Sequence, residues 1–93
     1  MADAAPALSV VIPVCNEAEN DEPLALEIQA ALSRIAAFEI VFVDDGSVDG
    51  TAAEIRALRA RMPQVRLLRH PARCGQSIAL RNGIEAARAD WIV

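Results

Sequence analysis

The chain has 93 residues, 54% of them hydrophobic, a net charge of −4 and nine basic residues, all arginine. That length allows one small domain with a modest core. An acidic chain whose aromatics are only Phe38, Phe42 and Trp91 lacks the basic face and stacking platforms of nucleic-acid binders, so no nucleic-acid partner is expected.

Residues 1–7 (MADAAPA) read as a disordered lead-in. The start has no basic n-region, so no signal peptide is expected, and no apolar run approaches the ~20 residues that span a bilayer. Leu8 to Val14 (LSVVIPV) is the first predicted strand, with Pro13 near its end because proline cannot donate a ladder hydrogen bond. A polar turn follows through Glu22, with Asp21 as the expected cap and Pro23 at a first helical position. Leu24 to Ala37 is predicted helical, with Leu24, Ile28, Leu32 and Ile35 as its apolar stripe.

The second strand carries the densest signal. Phe38 to Val43 (FEIVFV) is apolar except for Glu39, as expected of a parallel strand covered on both faces. It ends in Asp44-Asp45-Gly46-Ser47, two carboxylates at the carboxyl end of a strand, where open α/β sheets bind ligands. A second helix is predicted over Ala52–Met62, with Ile55, Leu58 and Met62 inward. Thr51 and Glu54 form a capping box, and Ser47 and Asp49 are alternative caps. Pro63 stops that helix. Val65–Arg69 is a short third strand and His70–Gly75 a loop, with His70 read as an ordinary polar residue. Gln76–Ala89 is the third helix, striped by Leu80, Ile84 and Ala87, with Asn82-Gly83 as a weak point. Asp90–Val93 begins a fourth strand, and the abrupt stop there reads as a fragment of a longer protein.

The β-α-β-α-β-α-β order predicts a Rossmann-like three-layer α/β/α fold with a mostly parallel sheet and right-handed crossovers over residues 8–93. The common phosphate signatures are missing: there is no GxGxxG, and without lysine there is no Walker loop. Cys15 and Cys74 lack CxxC spacing and read as free thiols of a reducing compartment. Each polar turn has two readings. Glu17 is either a solvated turn residue or an acceptor for a ribose hydroxyl or base amine. Asp44-Asp45 is either an acidic helix start stabilised by the helix dipole or a pair facing a ligand. Gly75-Gln76-Ser77 either simply precedes a helix or turns its amides toward a phosphate.

The combination VIPxxNE, VDDGSxDGT and RCGQSxALRNG, spanning Leu8 to Val93, resembles the N-terminal half of a family 2 glycosyltransferase of the GT-A fold, similar to polyprenyl (dolichyl) phosphate mannosyl- or glucosyltransferases. The resemblance implies a site for a UDP- or GDP-sugar. Pro13, Cys15 and Glu17 would border the nucleoside. Asp45 would contact the base and Asp44 support the ribose or the turn, with Val43 and Gly46 beside them. Gly75 and Gln76 would lie near the ribose and diphosphate, with Arg81 a further candidate. Cys15 stands where the family often has tyrosine, and Arg73 where many relatives have asparagine.

The same resemblance implies Mg2+ or Mn2+, held by a DxD motif beyond Val93, and a catalytic base also beyond it. No catalytic or metal-binding residue is therefore assigned within these 93, and the fragment alone is expected to be inactive. The implied acceptor is a polyprenyl phosphate. The implied location is the cytoplasm, at the membrane face if the parent protein carries membrane helices. A sheet edge or apolar face left uncovered at Trp91 and Val93 predicts a marginal fold or a dimer. Two alternatives are a non-catalytic α/β interaction module and a receiver-type signalling domain; the latter's acid pair should follow the first strand and be joined by a lysine.

Overall fold

The computed structural model describes residues 5–93. Its elements are β1 (Leu8–Val14), α1 (Asp21–Leu32), β2 (Phe38–Asp45), α2 (Thr51–Arg61), β3 (Val65–His70), α3 (Gln76–Ala86) and β4 (Trp91–Ile92). The sheet order is β3-β2-β1-β4, and every pairing is parallel. This is the predicted α/β architecture, with the chain crossing over by helices as parallel strands require.

β2 lies between β1 and β3, and all eight of its residues are buried. The pleat sends alternate side chains to opposite faces. Phe38, Ile40 and Phe42 meet Ile55, Leu58 and Met62 of the α2 segment and Ala25 of α1. Val41 and Val43 point the other way, to Val11 of β1 and Ala79 of α3. The near-continuous apolar run is thus two alternating half-runs, one for each helical layer.

Three helix readings are corrected. α1 begins at Asp21 rather than Leu24, so Asp21 is not its cap but a buried first-turn residue, 1% exposed. α1 also ends at Leu32; Ile35 is 75% exposed, and Ala25 is the residue sealed against the core. No capping box closes α2. The Thr51 N–H donates to Asp49 Oδ1, while Glu54 reaches across to accept from Glu19 and from Glu22 of α1.

α3 ends at Ala86 and buries a different face from the one predicted: Ala79 and Gly83 face the sheet, while Leu80 and Ile84 are exposed. Gly83 explains this. A Cβ there would lie 2.4 Å from Val11 Cγ1 and 2.8 Å from Val43 Cγ2, so only glycine allows the helix this close. The supposed helix breaker is the contact residue.

Of the lead-in, residues 1–4 lie outside the described residues. Pro6 is buried, and the Ala7 N–H donates to Ala37 O at 2.9 Å. The chain is therefore tied to the sheet before β1 begins.

Candidate nucleotide-binding site

Parity along β2 separates the two adjacent carboxylates. Asp44 falls on the α1/α2 face and is fully buried. Its Oδ1 accepts the Ser47 N–H at 3.0 Å, and its Oδ2 lies 3.4 Å from Arg69 Nε without a hydrogen-bond partner. Of the two roles expected for Asp44, support of the turn is the one its surroundings show.

Asp45 falls on the α3 face. Its Oδ1 accepts from the Cys74 N–H at 2.8 Å and from His70 Nδ1 at 2.9 Å, and its Oδ2 accepts from the Gly75 N–H at 2.9 Å. The His70 hydrogen bond first, then the Cys74 amide, hold this carboxyl below the usual aspartate range against a smaller opposing effect of desolvation. A carboxylate accepts about four hydrogen bonds, so one acceptor position is left. His70 is therefore not an ordinary loop residue. It closes β3 in register with Asp45, and its Nε2 lies 2.9 Å from Asn82 Nδ2 of α3.

These bonds fix the 70–75 loop. Gly46, at φ +75°, lets the loop cross it; a Cβ there would lie 2.5 Å from the Arg73 backbone nitrogen. Gly75, at φ +100°, then turns the chain into α3.

The β1–α1 loop is held just as firmly, from the other side. Ser47 Oγ, Thr51 Oγ1, Asp49 Oδ2 and Glu54 Oε1 accept the backbone N–H groups of Asn16, Glu17, Ala18 and Glu19 in turn. Glu54 Oε2 accepts a fifth, from Glu22. In return Asn16 Oδ1 accepts the Val48 N–H. Ser47, Asp49, Thr51 and Glu54 thus act as a backbone clamp on the neighbouring loop. Within that loop Asn16 and Glu19 adopt left-handed backbone, φ 55° and 75°, flanking Glu17; such strain persists only where neighbours enforce it.

A cavity of about 270 Å³ opens where the two clamped loops meet. It is lined by Pro13, Val14, Cys15, Glu17, Asp45, Arg73 and Gln76. Five of the expected residues, Pro13, Cys15, Glu17, Asp45 and Gln76, converge here from three separate stretches of sequence. Gly75 and Gly46 shape the walls without lining them. Val43 is core. Arg81 is not among the lining residues and pairs with Glu85 one turn along its own helix. Val14 and Arg73 line the cavity without having been expected there. Arg73 is the one cation among the described lining residues, beside two carboxylates. A second recess of about 260 Å³ adjoins the first, sharing Pro13, Val14 and Glu17 and reaching Asn20, Asp21 and Leu24.

A parallel α/β sheet with a polar crevice at the carboxyl ends of its central strands defines the class of open α/β folds that bind their ligands there. The family is specified by comparison. Residues 9–93 match the family model for glycosyl transferase family 2, and the chain belongs to that family. It is 38% identical over 86 residues to a dolichol-phosphate mannosyltransferase of Pyrococcus furiosus, covering 92% of this chain and 24% of that one. It is 34% identical over 89 residues to a dolichyl-phosphate beta-glucosyltransferase of Trichomonas vaginalis, covering 89% and 26%. It is 33% identical over 87 residues to a dolichol-phosphate mannosyltransferase of Saccharomyces cerevisiae, covering 91% and 33%. A mannosyltransferase of Pyrobaculum calidifontis, solved in complex with GDP-Man and Mn2+, superposes with a TM-score of 0.67 at 28% identity over 90% of this chain and 25% of that one. The chain spans 24% to 33% of the length of these relatives.

Proposed function

We propose that this chain is the donor-nucleotide half of an inverting sugar transferase that uses a UDP- or GDP-sugar and a polyprenyl phosphate acceptor. In that reaction an acceptor oxygen attacks the anomeric carbon, a new C–O bond forms there, and the bond to the diphosphate breaks with its electron pair going to the departing nucleoside diphosphate. The observation that carries this reading is the convergence of Pro13, Cys15, Glu17, Asp45 and Gln76 on one cavity. Pro13 and Cys15 give the nucleoside an edge to lie against. Asp45 keeps one acceptor position for a base imide. Glu17 has one carboxylate oxygen free, the other accepting from Asn20 at 3.3 Å. Arg73 supplies positive charge for the diphosphate.

The solved relative was in complex with Mn2+. The described residues of this cavity do not fit a hard divalent ion. They offer two carboxylates, Glu17 and Asp45, which this reading assigns to the nucleoside, and leave none for an ion on the diphosphate. No step here passes through the metal. On this reading its ligands and the catalytic base belong to residues beyond Val93, turnover belongs to the longer protein, and the 93-residue chain binds nucleotide without transferring sugar. Among the described residues no helix is long and apolar enough to cross a membrane. Work at the cytoplasmic membrane face, where a polyprenyl phosphate would be presented, is part of the same proposal. No specific observation favours the interaction module or the receiver-type domain.

Isothermal titration with UDP, GDP and their nucleosides tests the reading. One diphosphate is expected to bind more tightly than its nucleoside, and Glu17→Ala to weaken binding about tenfold, the loss of one charged hydrogen bond. Equal or absent heats for all four ligands at millimolar concentration would remove its basis.

A further inference from the structure

His70, Cys74 and Asp45 bring three different donor chemistries to one point. Their ligand atoms all lie within 4.8 Å of one another. Two of the three are positioned by the sheet: Asp45 and His70 are register partners on β2 and β3, and their side chains sit 2.9 Å apart. The third is held by its own backbone, since the Cys74 N–H donates to Asp45 Oδ1. Its thiol is exposed, already within that 4.8 Å, and its one hydrogen bond among the described residues is a 3.4 Å contact with Ala72 O.

We propose that Asp45, His70 and Cys74 form a site for a borderline-soft divalent metal ion of the zinc type, distinct in chemistry from the hard ion bound by the solved relative. Thiolate, imidazole and carboxylate together select zinc or cobalt over magnesium or manganese. Tetrahedral bonds of about 2.0–2.3 Å put the donors roughly 3.3–3.7 Å apart, so the 2.9 Å His70–Asp45 pair opens slightly while separations of up to 4.8 Å close by about an ångström. The ion takes the place of the proton between His70 Nδ1 and Asp45 Oδ1. That proton moves to Nε2, where Asn82 receives it on its amide oxygen after a simple rotation; Asn82 already touches Nε2 at 2.9 Å. A ligating histidine needs such a partner on its second nitrogen. The Cys74 and Gly75 amides remain on Asp45 and orient it. One proton leaves, from the thiol, and the two anionic ligands neutralise the ion. Three protein ligands leave a fourth position open, and Asp45 also lines the nucleotide cavity, so the metal and a nucleotide contend for the same carboxylate. The site does not depend on the transferase reading.

Cobalt titration of the chain, followed by absorption, tests this. Expected are a near-ultraviolet thiolate-to-cobalt charge-transfer band and visible bands of tetrahedral strength, displaced by one equivalent of Zn2+. Cys74→Ser should abolish the charge-transfer band, and Cys15→Ser should leave it intact. Asn82→Ala should weaken cobalt binding 10- to 100-fold with the band shape retained. Far-ultraviolet circular dichroism of each variant checks that it is folded. A spectrum without the charge-transfer band, or one that survives Cys74→Ser, would overturn the site, as would a band lost on Cys15→Ser.

Discussion

The two faces of the sheet are built on opposite plans. The α1/α2 face is a continuous apolar core centred on Phe42 and Ile40, both fully buried, against Ile55 and Leu58. The α3 face has only a thin apolar centre, Val11, Val41, Val43 and Ala79, and is held at its two ends by carboxylates. At one end Glu39, 1% exposed, accepts from Ser9 Oγ, from Arg66, and from both the backbone and the guanidinium of Arg88. At the other end Asp45 gathers His70, Cys74 and Gly75. An apolar layer stabilises without direction, whereas a layer joined by hydrogen bonds fixes where a loop sits. The cavity lies at the hydrogen-bonded end of the α3 face, where position matters most.

Glu39 and Asp21, one buried acid from each face, are shifted in opposite directions. Burial raises Glu39, but the Arg88 amide, Ser9, Arg66 and the Arg88 side chain outweigh it and pull the carboxyl down to about 2. On the other face no cation among the described residues pairs with Asp21. Burial first, then a hydrogen bond and repulsion from Glu54, push it up to about 8, with Glu17 and Asp49 adding to the repulsion. Its Oδ2 is buried without a partner.

The largest effect should follow from breaking the apolar face. Phe42→Ala should cost about 4 kcal/mol, the usual toll of a fully buried phenyl ring, read from urea unfolding. Glu39→Ala should cost somewhat less, about 3 kcal/mol, because Arg66 and Arg88 retain access to water. Its pH signature is specific. With Glu39 near 2 folded and 4.5 unfolded, the unfolded chain binds more protons between those values. Wild-type stability is therefore lost as pH falls through that window, and the variant should not show that loss.

Asp21 sharpens the contrast, because its slope runs the other way. Its folded value of about 8 lies above the ordinary 3.8, so the folded chain holds the extra proton. Stability from this group should decline as pH rises between those values, and Asp21→Asn should flatten the decline in thermal melts from pH 5 to 8.5. The smallest effect belongs to Arg81→Ala. Its pair with Glu85 is solvent-exposed, so stability should move by less than about 0.5 kcal/mol and nucleotide binding should not change. Beyond the two faces, β4 leaves Trp91 and Val93 mostly exposed beside β1, and sedimentation velocity should show self-association with rising concentration.

Element order and the converging turns were legible because they rest on local signals: period-2 and period-3.6 patterns, Pro13, Pro63, and glycines at chain reversals. What was not legible depends on partners far along the chain. Glu39 reads as a lone polar residue in a strand until Arg88, 49 residues on, meets it. Thr51 and Glu54 have the spacing of a capping box, yet their acceptors serve N–H groups more than 30 residues away. The inward face of α3 was missed because its contact residues are small, and hydropathy favours Leu80 and Ile84 over Ala79 and Gly83. The division of Asp44 from Asp45 was available in the pleat, since adjacent residues of a strand point to opposite faces. Arg73 left a trace as a basic residue two positions before the glycine that opens α3.

The central claim is that the tips of β1 and β2 and the start of α3 form one pocket for a nucleoside diphosphate. Its most direct test is amide NMR of the labelled 93-residue chain titrated with UDP and with GDP. The account predicts shifts confined to Cys15–Glu17, Asp45–Gly46 and Arg73–Gln76 for at least one of the two. Shifts on the Glu39–Arg88 end of the α3 face, or none at millimolar ligand, would contradict it.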